Sequence, residues 1–275
     1  MIVRDAAGRE ATRTMAAQEL RDRFLLTGLF AADRLTLFYT DADRMIVGGV
    51  APRKPVVLAE EEELASDHFT ARRELGIVNV GAGSGSVEVS GERFELGRAD
   101  CLYIGRGEHP VTFASDESTA PAGFYLVSCP AHAAYPTTKV TQSEAEQLAL
   151  GEAAHSNKRT VYKYIHPAGA RSCQLVLGIT VLAAGNVWNT MPCHTHRLRS
   201  EVYLYYDMGD GLVAHFHGEP ENTRHILVRE KQAVISPHWS IHAGCGTQSY
   251  SFVWAMGGEN QDFGDMQAVP QEALR

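Results

Sequence analysis

Paired cysteines are missing from this chain, and so are long apolar runs. The five cysteines, Cys101, Cys129, Cys173, Cys193 and Cys245, are widely spaced and odd in number. No two form a CxxC pair, so neither a disulfide framework nor a zinc finger is expected. No stretch approaches the ~20 apolar residues that a bilayer-spanning helix needs. Charges interrupt the opening MIVRDAAGREATRTMAAQ throughout, which fits neither a secretory nor a membrane segment. A cytosolic protein is expected. Positive charge is scarce: 25 Lys and Arg face 33 Asp and Glu, a net charge of −8. A nucleic-acid binder would carry a basic patch, and no helix-turn-helix pattern stands out.

What is present is the composition of a folded protein, with 44% apolar and 21% charged residues. The 275 residues suit two domains of ordinary size. Residues 12–26, TRTMAAQELRDRFLL, place apolar side chains near helical spacing and predict one amphipathic helix. The four glutamates of EEEELASDHF, residues 60–69, read as a solvated face or helix start.

From about residue 75 short β-rich runs alternate with Gly, Asp and Ser turns. VEV-SGE-RFEL reads as a hairpin. Residues 140–158, VTQSEAEQLALGEAAHSNK, are polar and rich in Ala and Glu, and are expected to form a helix or linker between two β units. Strand-like runs resume with TVYKYI, CQLVLGITVL, EVYLYY, LVAHFH, RHILVRE, QAVIS and YSFVWAM. GRADCLYIGRGEHPVTF and EKQAVISPHWSIHAG each run strand, turn, histidine, as a degenerate repeat would. The expectation is mostly β: two tandem small barrels of jelly-roll type, with domains at 1–150 and 151–275.

One half keeps a cluster that the other lacks. In MPCHTHRLRSEVYLYY, residues 191–206, His194 and His196 would share one face of a strand and leave Cys193 and Thr195 on the other. RLRS, 197–200, suits a tight turn that returns Glu201 beside the imidazoles. His242 follows Pro237 by five residues. Three imidazoles and one carboxylate suit a divalent transition metal. The pair His215 and His217 has no carboxylate at comparable spacing and is expected to be structural, as are the single histidines His225 and His238.

The spacing His194-x-His196-x4-Glu201 with Pro237-x4-His242 resembles the two metal motifs of the cupin superfamily. Two departures stand out: Trp239 where many cupins have Gly, and no downstream Asn where the pattern places one. NKRTVYKYIHPAGARSCQLVLGIT, VWNTMPCHTHRLRSEVYLYY, GEPENTRHI and QAVISPHWSIHAGCGT are together similar to the 5-keto-4-deoxyuronate isomerase family. VNVGAGSGSVEVSGERFELGRADCLYIGRG and CPAHAAYPT fit its N-terminal half. The resemblance implies a bicupin with one metal, usually zinc, on His194, His196, Glu201 and His242 of the C-terminal half. It implies a homohexamer. It also implies conversion of 5-dehydro-4-deoxy-D-glucuronate to 3-deoxy-D-glycero-2,5-hexodiulosonate, a step downstream of polysaccharide lyases in pectin and uronide breakdown.

Such an isomerisation removes hydrogen from C2 and delivers one to C1. A cation would polarise the carbonyl, and a proton carrier must lie within hydrogen-bond reach. Lys163, Tyr164, His166, Glu219 and Glu259 are the candidates, with Tyr203 a further relay near the ligands. The substrate carboxylate needs a cation, for which Arg171, Arg197, Arg199 and Arg224 are candidates. An enediol route is expected over direct hydride transfer. Two other functions use the same sphere: a cupin dioxygenase holding iron, and a sugar-acid binder without catalysis.

Overall fold

The computed structural model describes residues 1–259 and 263–275. Among them, strands dominate and helices are short. A seven-stranded and a four-stranded sheet form the first half, and a second seven-stranded and four-stranded pair forms the second. This is the duplicated β architecture expected from the sequence.

The hairpin reading holds. Gly85–Val89 pairs with Glu92–Leu96 across Ser90 and Gly91, both at positive φ, as a two-residue turn between right-twisted strands requires. Two other readings are corrected. Residues 12–26 are not one helix. Arg9–Thr12 and Ala17–Phe24 are separate helices, and Leu25–Leu26 is a strand paired with Val234 and Ala233. The second helix starts where the Glu19 carboxylate accepts the Ala16 N–H at 2.6 Å, half of a capping box. The leucines end it because they gain more from the apolar second sheet than from another helical turn.

Residues 140–158 are likewise neither helix nor plain linker. Glu146–Leu150 is a strand, antiparallel to Arg159–Ile165. Its Ala, Leu and Glu favour a helix in isolation. Pairing overrides that preference: the ladder satisfies the backbone, and Glu146 sits opposite Lys163, with Nζ 2.8 Å from its carboxylate. Two strands from residues 1–150, Leu25–Leu26 and Glu146–Leu150, thus lie in the second large sheet.

The two large sheets face each other. One core joins Val78, Tyr125 and Val127 of the first to Ile165, Leu177, Val202 and Leu204 of the second. Gly76 and Gly257 mark the closest approach. A Cβ on Gly76 would lie 2.9 Å from Ile165, and one on Gly257 would lie 2.8 Å from the Cys129 sulfur. A buried carboxylate fastens this seam. Glu74 of the first sheet accepts the backbone N–H groups of Cys173, Gln174 and Leu175 at 2.7–2.9 Å and the Tyr103 hydroxyl at 2.8 Å. A second tie is the buried Tyr164 hydroxyl, which donates to the Ala99 carbonyl at 2.7 Å.

The faces turned away from the seam line the barrel interiors, and these differ. The first is filled by Leu75, Ile77, Val87, Val111, Phe113 and Phe124. Counted from each hairpin turn, Val87 occupies the register that His217 holds in the second. The second interior carries the polar residues described below.

Removing the Glu74 side chain orphans three backbone donors and a phenol, each costing about 1–3 kcal/mol when buried. Glu74→Ala should therefore lower unfolding free energy by about 3–5 kcal/mol in urea denaturation followed by circular dichroism. A loss below ~1 kcal/mol would show that the seam does not depend on it.

Candidate metal centre

His194–His196 is a three-residue strand outside both barrel sheets, paired with Met266–Ala268. The chain turns at residues 197–198 and enters the strand Arg199–Tyr206, which is buried along its whole length. The turn expected over 197–200 is therefore shorter: Arg199 and Ser200 are already strand, and Ser200 N–H is held by Asp43 at 2.5 Å. Alternation sends Glu201, Tyr203 and Tyr205 into the barrel and Val202, Leu204 and Tyr206 to the seam. His242 follows the turn at Pro237 and precedes the strand Ala243–Gly246.

The four residues converge. His194 Nε2 lies 3.2 Å from His196 Nε2 and 3.0 Å from His242 Nε2. A Glu201 carboxylate oxygen lies 3.1 Å from His242 Nε2 and 3.5 Å from His196 Nε2. That oxygen, Oε2, is buried and accepts no hydrogen bond. Burial is the first cause holding His242 far below the ordinary imidazole range and pushing His194 down to about 3, so both are neutral at pH 7.

His196 Nδ1 faces the Asp265 carboxylate at 3.2 Å, and the same oxygen accepts from Arg199 at 2.6 Å. An N–H on Nδ1 of His196 leaves its Nε2 lone pair aimed at the cluster. Lone pairs and an unpartnered carboxylate oxygen meeting at one point repel unless a cation lies between them. Nitrogens bound to one ion at ~2.0–2.1 Å stand about 3–3.4 Å apart, which matches the spacing seen. The residues fit a divalent metal.

The cluster forms one wall of a cavity of about 320 Å³. Phe252, Trp254 and Met256 supply an apolar floor, Leu148 and Leu150 one side, and Arg159, Lys163, Thr180, Thr190 and Tyr203 the polar groups. Trp254 is pinned by an indole N–H donated to Thr180 at 3.1 Å and packs against Gly178, where a Cβ would meet its ring at 2.2 Å. The Tyr203 phenol shares the cavity wall with Glu201 and Thr190. Burial, then the charge of Glu201, holds it well above the ordinary range, so it carries its proton.

Of the proton carriers named from the sequence, Lys163 and Tyr203 reach the cavity, and Lys163 is already paired with Glu146. Tyr164 points into the seam. His166 is buried 3.7 Å from Glu146, away from the cluster. Glu219 is paired with Arg9 and Arg13 of the N-terminal segment, and Glu259 is exposed, with its N–H on the Leu198 carbonyl. None of the four arginines named for the substrate carboxylate lines the cavity. Arg171 stacks over Tyr135 at 5.3 Å, and Arg197 is exposed. Arg224 donates to the Arg13 and Met15 carbonyls, and Arg199 is fully buried against Asp265.

Cys193 is buried with Ile241 and Ala243, outside the cluster. His215 and His217 are buried but not part of it: the Tyr205 hydroxyl lies 2.8 Å from His215 Nδ1, and Ser240 lies 3.1 Å from His217 Nδ1. His225 and His238 are exposed. Two residues escaped the sequence reading. Asp265 lies 64 positions after Glu201 with no motif around it, and Arg159 opens a strand whose alternation alone could have marked its face.

The chain is 47% identical to the 4-deoxy-L-threo-5-hexosulose-uronate ketol-isomerase of Caldicellulosiruptor bescii and 48% identical to that of Salmonella typhimurium, over the full length of each. Among solved structures it is similar to an IolB-like protein from Salmonella typhimurium, with a TM-score of 0.67, 14% identity, and 82% and 86% of the two chains covered. It is also similar to an oxalate decarboxylase from Bacillus subtilis, with a TM-score of 0.55, 11% identity, and 79% and 69% covered. These two likenesses are of fold. The sequence profile of the KduI/IolB family matches residues 26–270, and the chain belongs to that family.

Proposed function

We propose that the chain is a metal-dependent ketol-isomerase that converts 5-dehydro-4-deoxy-D-glucuronate to 3-deoxy-D-glycero-2,5-hexodiulosonate. The observation that carries this reading is the meeting of three imidazole nitrogens and the Glu201 carboxylate at the wall of an apolar cavity. It stands in a chain almost half identical, end to end, to proteins named for this reaction. His194, His196, Glu201 and His242 would hold the ion, and zinc is the ion proposed, on the family resemblance and the mixed nitrogen and oxygen donors. The same resemblance supports a homohexamer and a place in pectin breakdown; a cytoplasmic location is proposed alongside them.

When bound, the ion supplies Lewis acidity that polarises a carbonyl and acidifies the adjacent C–H. The chain does the rest. Phe252, Trp254 and Met256 exclude water from the reacting carbons. Tyr203 holds a proton at its hydroxyl beside Glu201, placed to donate to a substrate oxygen. Asp265, anchored by Arg199, fixes the tautomer of His196. The enediol route is the one proposed, because a metal-polarised carbonyl acidifies the neighbouring C–H and favours proton loss over hydride transfer.

His242→Ala should abolish bound metal, read by elemental analysis, while the β-rich circular dichroism spectrum persists. Asp265→Asn, which removes the charge that orients His196, should weaken metal affinity about 10–100-fold. Full occupancy in His242→Ala would refute the ligand assignment.

Isomerisation consumes no oxygen, so turnover should proceed at an equal rate under strict anaerobiosis. In D2O the product should carry deuterium at C1. A rate that stops without oxygen would favour the iron dioxygenase. Transfer of label from C2 with no solvent deuterium would favour hydride shift.

A further inference from the structure

Two cations line the cavity, Arg159 and Lys163, and Arg199 stands behind the ligand cluster. Arg199 is paired with Asp265, and Lys163 with Glu146. Arg159 is not. It is half-buried, it lines the cavity, and its guanidinium donates to the Asn157 carbonyl at 2.8 Å. No carboxylate stands within ion-pairing distance of it among the described residues. The charged or ionisable groups that act on it are the phenols of Tyr203 and Tyr250, and burial weakens its hold on its proton. A guanidinium drawn from water without a counter-ion is costly. Its fork of donors matches a carboxylate.

Resting on the isomerase reading of this cavity, we propose that Arg159 is the residue that recognises the substrate carboxylate and selects acids over neutral sugars. The ligand class is a short sugar acid, with its carboxylate on Arg159 and its hydroxy-carbonyl end toward His194, His196, Glu201 and His242. Arg159, Tyr203, Glu201, His194 and His196 line one cavity, and its volume of about 320 Å³ has room for a six-carbon sugar acid lying between the guanidinium and the ligand cluster. Arg159, Val161 and Lys163 share one face of the strand Arg159–Ile165, so the guanidinium is delivered into the cavity by strand alternation. A neutral sugar would leave it unpaired, and that difference is the discrimination.

The test uses Arg159→Gln and Arg159→Lys in the full chain, with metal content and circular dichroism checked first. Arg159→Gln should raise KM for the lyase-derived uronate about 50–100-fold with kcat within ~3-fold. Arg159→Lys, which keeps charge but loses the bidentate fork, should raise it about 5–10-fold. Calorimetric titration with D-glucuronate and with D-glucose reads the same point without turnover: wild type should prefer the acid, and Arg159→Gln should lose the preference. Wild-type KM and an intact preference for the acid in either folded variant would overturn the proposal. Should Arg159→Gln fail to fold, Arg159→Lys alone decides it. If wild type does not turn over the uronate but binds glucuronate through Arg159, the isomerase reading falls and the carboxylate site stands. If wild type binds neither sugar differentially, the carboxylate site falls.

Discussion

A sheet buried on both faces must send alternate side chains into two different interiors, and everything about this site depends on that constraint. The two large sheets lie against each other, so one face of each strand belongs to the shared seam. In Arg199–Tyr206, Val202 and Leu204 serve the seam, which leaves Glu201 and Tyr203 to the barrel. A slip of one residue would put a carboxylate into the seam and leucine beside the histidines. The seam therefore holds the register that aims the carboxylate. Glu74, which accepts from three backbone N–H groups across it, makes the seam directional as well as apolar.

The duplication shows what a barrel interior can be. In the first half Leu75, Ile77, Val87 and Phe113 fill it with apolar side chains. In the second, Glu201, Tyr203, His215 and His217 stand in the interior, His217 in the register of Val87, and each must find a partner. Asp265 and Arg199 answer for His196, the phenol of Tyr205 for His215, and Ser240 for His217. Glu201 Oε2 has none among the described residues, and it lies where the three Nε2 atoms meet. The residues that cost stability are the ones that make a binding site.

The N-terminal segment completes this half from a distance. Phe24 packs on the His217 ring at 4.3 Å, and Arg9 and Arg13 neutralise Glu219 at the end of the His215 strand. That use of Glu219 keeps a carboxylate away from the chemistry. Lys163 is similarly occupied by Glu146, from a strand that also brings Leu148 and Leu150 to the cavity. Side chains that look equally suited to catalysis in a linear reading are separated by the partners the fold assigns them.

The metal cluster was legible in the sequence because strand alternation and a short turn fix its members locally: His194 and His196 share a face, and Glu201 follows within one turn. His242 was legible through its spacing from Pro237 in a repeat whose other copy has no such cluster. The β character was legible too, since Gly, Asp and Ser turns at short intervals leave no room for long helices. What pairs with a strand is a property of the whole chain. Helical propensity therefore misjudged Glu146–Leu150 and Leu25–Leu26, both of which join the second sheet. The tertiary structure alone decided which charges remain unspent. Glu219, Lys163 and Arg199 meet partners 17 to 210 residues away, and Arg159 meets no acid among the described residues, because ion pairing depends on distance in space and the sequence records only order along the chain.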